Sequence, residues 1–153
     1  MKRIVYTKPD GNLAVVTPVI NTFPSPENMT EDEALARALS KLPAGAVNPV
    51  VVEEAAIPTD RAYRDAWSVS GNSVIHDMTK AREIHKNKLR ELRATKFPKL
   101  DIDYMRADEA GNNALKIQIA QQKQSLRDVT ADPRIAAAQT PEELKLVIPE
   151  ILI

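Results

Sequence analysis

The sequence predicts an α+β fold: a small N-terminal module of β-hairpins with one helix, followed by a long antiparallel α-helical hairpin and short C-terminal helices. Three observations predict it. Short β-rich runs punctuated by turn residues fill the first 77 positions. From Met78 the chain becomes rich in Lys, Arg, Glu, Ala and Leu at helical spacing. Gly111, Asn112 and Asn113 then stop that helical pattern midway. The expected division is therefore 1–77, an α+β module; 78–131, an antiparallel helical hairpin; and 132–153, a short helical apolar segment.

The first hairpin pairs "RIVYT" with "NLAVVTPV" across "KPDGN", where Pro9, Asp10 and Gly11 supply tight-turn geometry. "NTFPSPENMT" is a Pro-punctuated connector. Thr30 and Glu33 form a capping box for "EDEALARALSKL", whose apolar side is Ala34, Leu35, Ala38, Leu39 and Leu42. Pro43 and Gly45 end it. "VVVEEAAI" reads as a buried strand. In "PTDRAYRDAW" Thr59 stands as the N-cap of a single helical turn, and "WSVSGNSVIHD" as a second hairpin pivoting on Gly71 and Asn72.

Past Met78, one helical stripe runs through Ala81, His85, Leu89 and Leu92. Leu100, Tyr104 and Ala107 extend it beyond Pro98, and Leu115, Ile119, Gln122 and Leu126 form the returning one. Asp132 and Pro133 open a short helix. Thr140 caps the last, with Pro141 at its first position.

Composition narrows the function classes. The chain has 153 residues, 43% apolar but only 4% aromatic, so small modules are expected rather than one thick core. Basic and acidic residues number 21 each, which leaves no global charge to draw it onto nucleic acid or an anionic membrane. With no cysteine, disulfides, thiol nucleophiles and Cys-ligated zinc are absent, and a reducing compartment fits. Residues Tyr6 to Asp10 interrupt the opening apolar run before a signal-peptide core forms, and no stretch approaches a membrane span. The expectation is a soluble protein made for the cytosol.

Catalysis and metal binding find little to stand on. His76 and His85 are nine apart, neither the i, i+4 ligand spacing nor a zinc-finger spacing. The stripe makes His85 a partly buried structural residue and places His76 at a strand–helix junction. Carboxylates cluster at 31–33, 53–54 and 101–103, but none has a partner that would divide acid from base roles. No nucleophile elbow or phosphate-cradling glycine loop occurs, so no enzyme activity, metal or cofactor is expected.

The basic run at 80–99 is the sharper question. It holds eight basic residues against two acidic ones, whereas 27–60 holds seven acidic against two basic. That asymmetry supports an alternative function, a nucleic-acid- or host-factor-binding accessory protein using the basic helix 80–99. Against it, Phe97 and Tyr104 are the only aromatics nearby for stacking bases. The charges at 80, 82, 86, 88 and 90 also cannot share one helix face. The C-terminal "LKLVIPEILI" offers Leu144, Val147, Ile148, Ile151, Leu152 and Ile153 either to its own hairpin or to another subunit. Area arithmetic favours the subunit: Ile148, Ile151 and Leu152 are expected to be covered more by a partner than by 78–128.

"AIPTDRAYRDAW" at 56–67, followed by "DMTKAREIHKNKLRELR", resembles a segment of small proteins encoded beside bacteriophage tail genes. "LDIDYMRADEAGN" and then "KQSLRDVTADPRI" and "TPEEL" resemble the C-terminal part of phage tail fibre assembly and tail assembly chaperone proteins. The likeness spans roughly residues 56–145. The family pattern often carries Trp in the acidic–aromatic step, where this chain has Tyr104. The resemblance implies a non-enzymatic tail-module protein that binds tail fibre or another tail component within an oligomeric assembly. It would work in the host cytoplasm during assembly, as an assembly factor, or in the virion tail as a subunit. Tyr104, Leu126, Arg127, Leu144, Val147, Ile148, Ile151 and Leu152 are then the candidate partner-binding residues; Gln124, Asp128 and Pro133 complete the ordered series.

Overall fold

In the computed structural model, which describes residues 1–20 and 29–153, the first strand, β1 (Lys2–Thr7), is the centre of a three-stranded antiparallel sheet. Strand β2 (Leu13–Val16) lies on one side and β3 (Val47–Glu53) on the other. β1 carries the continuous buried run Ile4, Val5, Tyr6 rather than an alternation, so both of its faces are covered. Helix α1 (Glu31–Ser40) packs on β1, and Lys2 donates its backbone N–H to Glu31 Oε1 at 2.6 Å. The Thr30–Glu33 capping box is complete, and Ala34 and Leu35 are the buried residues of this helix. Leu39, expected on the apolar side, is exposed. Most of the Pro-punctuated connector falls at 21–28, outside the described residues.

Strand β3 departs from expectation. It begins at Val47 and ends at Glu53, and Glu54–Ala56 is a 3-10 turn rather than strand. Only Val52 is fully buried, because β3 is an edge strand with a single neighbour. Its edge position admits Pro49, which cannot donate to a ladder. The register shifts between Val5 and Thr7, and Asn48 sits at φ 50° within the extra residue. This is a β-bulge with Asn in the left-handed region that it tolerates better than most.

Strands β4 (Trp67–Ser70) and β5 (Ser73–His76) form the second hairpin, with Gly71 at φ 58° in its turn. Val5, Leu13, Val52, Trp67 and Val74 make one cluster, so this hairpin joins the sheet through Trp67. The helical turn ahead of it is a 3-10 turn at Arg64–Ala66, and Thr59 does not cap it. Asp60 does the local work instead: its Oδ1 accepts from the Ala62 N–H at 2.8 Å.

Met1–Asp77 and Met78–Ile153 are two compact units of an α+β chain. The second is all helical. The expected long first arm is broken into α2 (Met78–Ala94) and α3 (Phe97–Glu109), because Pro98 lacks the N–H and restricts the residue before it. The antiparallel pair is therefore α3 with α4 (Asn113–Asp128). Gly111, at φ 67°, closes α3, and the Asn112 side chain accepts from the Leu115 N–H to start α4. A 3-10 turn, α5 (Pro133–Ala137), α6 (Pro141–Lys145) and a terminal 3-10 turn follow. Residues 132–153 belong to this unit and are not a separate segment: α6 packs on α2, and the terminal turn on α4.

Candidate functional site

The residues singled out in the second unit separate into buried anchors and exposed contacts. Leu126, Leu144, Val147 and Leu152 are buried in their own chain. That corrects the expectation for Leu152, which a partner was to cover: the terminal 3-10 turn that carries it packs on α4 of the same chain. Ile151 is half-buried, and Ile148 is 43% exposed. Leu146 and Ile153 stand out at 80% and 88%. Leu146 escapes the sequence reading: α6 ends at Lys145, so no helical spacing continues through it to mark its exposure.

On the α3–α4 pair, Asp108 with Lys116 and Asp101 with Lys123, the latter at 2.6 Å, bridge the two helices. Tyr104 lies between those bridges, with the Lys116 and Lys123 ammonium groups 5.7 and 5.4 Å from its ring centroid. The Asp108 carboxylate raises the Lys116 pKa above the ordinary Lys value through its hydrogen bond. Tyr104 is thus engaged across its own hairpin. Arg127 is exposed, its guanidinium 5.9 Å from the Phe97 ring. Ile102 and Met105 of α3 are exposed at 51% and 62%.

The basic run turns out to be largely occupied. Three side chains of α2 reach backbone carbonyls at the C-terminal ends of other helices. Arg82 donates to Ala138 O at 2.8 Å, the end of α5, and Arg93 to Arg127 O at 2.7 Å, the last turn of α4. His85 Nε2 lies 2.9 Å from Val147 O, just beyond α6, and the ring is buried. Helix ends leave such carbonyls without intrahelical partners and carry partial negative charge, so cationic donors suit them. Lys86 pairs with Glu83 at 2.6 Å, Lys99 with Asp103, and Arg90 with Asn87. The other histidine, at the end of β5, is held within its hairpin: His76 Nε2 accepts from Trp67 Nε1 at 3.1 Å.

Among the described residues, no group of three or more His, Cys, Asp or Glu could hold a metal ion. No helix of the described residues is long and apolar enough to cross a membrane. Compared with protein-family models, curated proteins and solved structures, the chain matches none. The class that the fold and surface define is an α+β protein whose second unit pairs internally anchored helices with an exposed aliphatic C-terminus.

Proposed function

We propose that this chain is a non-enzymatic bacteriophage tail-module protein that binds a tail fibre or another tail component, as an assembly factor or a virion subunit. One observation carries the reading. The C-terminal segment is fixed by its own buried anchors, Leu144, Val147 and Leu152, while Leu146, Ile148 and Ile153 are held out in solvent. Aliphatic side chains displayed from an anchored segment keep their ordering cost low when a partner covers them. The resemblance supplies the partner class. Its ordered series falls on α3, the Gly111 turn, the end of α4, α5 and α6.

The experiment is co-expression with a tail-fibre protein encoded beside this chain. A tail role predicts a complex, or soluble trimeric fibre only when this chain is present, and both are lost in the triple change Leu146→Ser, Ile148→Ser, Ile153→Ser. Fibre that folds and trimerises equally well alone, with purified virions lacking this chain, removes the proposal.

A further inference from the structure

The first unit contains a cavity of about 390 Å³ that the docking role leaves unused. Among the described residues lining it, three are arginines, Arg3, Arg61 and Arg64, and one is a carboxylate, Glu54. Arg3 spends its charge on that carboxylate, Nη2 to Oε1 at 2.7 Å. Glu54 is thus the one carboxylate beside three guanidinium groups among the described residues of the lining. The remaining wall includes Val15 and the indole of Trp67.

Local structure presents Arg61 and Arg64 together. The Asp60 side chain fixes the chain through the Ala62 N–H, and the Arg64 N–H donates to Arg61 O at 3.1 Å as the 3-10 turn begins. Both arginines thus leave one tight turn. The Arg64 guanidinium lies over the Trp67 ring, 6.0 Å from its centroid. Trp67 is itself immobilised, 2% exposed and donating to His76. A guanidinium held on an aromatic face is pre-organised, and its planar fork matches the two oxygens of a carboxylate or phosphate. The volume lies within the ~300–1,000 Å³ of ordinary ligand sites.

We infer that this cavity is an oxyanion site: Arg61 and Arg64 grip a carboxylate or phosphate group whose apolar stem rests against Val15, Ile57 and Pro58. Two sources supply that chemistry, a free small anion or an acidic side chain of a peptide. The site belongs to the first unit and stands independently of the proposed tail role.

Trp67 is the only tryptophan of the chain, so its indole N–H gives a single NMR reporter at the site. The full chain is titrated at low ionic strength, where screening is weak, with inorganic phosphate and separately with tetraglutamate. A saturable shift of the Trp67 resonance is expected with at least one probe. Phosphate alone points to a free anion, tetraglutamate alone to an acidic segment, and both to the oxyanion as the recognised group. Arg61→Gln and Arg64→Gln, at exposed positions, each weaken binding about tenfold, the loss of one charged hydrogen bond. Arg90→Gln on α2 leaves it unchanged, and thermal melts confirm that each variant is folded. No saturable shift with either probe, or wild-type binding by both folded arginine variants, overturns the assignment.

Discussion

The two units solve the same shortage of aromatic residues in different ways. Among the described residues, the first places Trp67 and Tyr63 fully buried in its core, and Trp67 joins the β4–β5 hairpin to the sheet. Burial alone pushes the Tyr63 hydroxyl pKa up. The second unit keeps Phe97 and Tyr104 half-exposed beside cations and fills its core with Ala, Val, Ile and Leu. What it lacks in ring area it supplements with polar clamps from α2 onto three helix C-termini. The lesson is that a dense positive run need not face a polyanion. Here part of it answers the partial negative charge of the protein's own helix ends.

The strongest way to break this comparison is to remove the ring that the first unit depends on. Trp67→Ala should cost ~3–5 kcal/mol, the range for large aromatics in a packed core. Urea denaturation followed by circular dichroism measures it. A loss under ~1 kcal/mol would mean that the sheet and hairpin hold without the Trp67 cluster.

In the second unit the contrast runs along three residues. Leu144→Ala, at a fully buried position, should cost ~2–5 kcal/mol. Leu146→Ser, two positions on and 80% exposed, should stay within ~0.5 kcal/mol. Paired melts of the two variants check this. Equal losses would show that the C-terminal segment is ordinary core throughout, and would remove the observation on which the docking role rests.

The residues that were legible in the sequence are those governed by local rules. The Thr30–Glu33 box, the Gly71 and Gly111 turns, the Thr140 and Asp132 caps and the change of character at Met78 depend on neighbours within a few positions. Tertiary features were not legible. That β3 is an edge strand with a bulge at Asn48 follows from strand order, which no local pattern states. The burial of Leu152 requires knowing that the terminal turn folds back onto α4. The Arg61–Arg64–Trp67 spacing of three and three was visible, but it gained meaning only once Arg3, 58 positions from Arg61, was placed beside it.

The clamps predict a smaller effect. Arg82→Met keeps the aliphatic stem but removes the donor to the buried Ala138 carbonyl region. An unsatisfied carbonyl costs ~1–3 kcal/mol, but the same change also removes the Arg82 Nε, a buried donor that has no hydrogen-bond partner. The two opposing terms leave a net loss of ~1 kcal/mol, read by denaturant titration. A gain in stability would mean that burying the guanidinium outweighs the clamp, and the contrast between the units would then rest on aromatic burial alone.

The smallest effect tests a clamp made over two residues instead of the 34 to 62 that separate the partners of the α2 clamps. Asp132 begins α5, its Oδ1 accepting from the Arg134 N–H at 2.9 Å and its Oδ2 from Arg134 Nη2 at 2.7 Å. The Arg134 side-chain hydrogen bond holds the Asp132 pKa below the ordinary Asp value, with the backbone N–H and the Arg134 charge adding to it against partial burial. A carboxyl whose pKa is lower folded than unfolded contributes stability above its unfolded value, and the contribution disappears as pH falls through the folded one. Asp132→Asn keeps the oxygen that caps the helix but not the charge. Wild type should therefore melt slightly higher than Asp132→Asn at neutral pH. The difference should hold down to the ordinary Asp range and close below it, as the wild-type carboxyl takes up its proton. A difference in melting temperature that stays constant into strong acid would assign the stabilisation to the cap geometry and leave the Arg134 pair with no part in it.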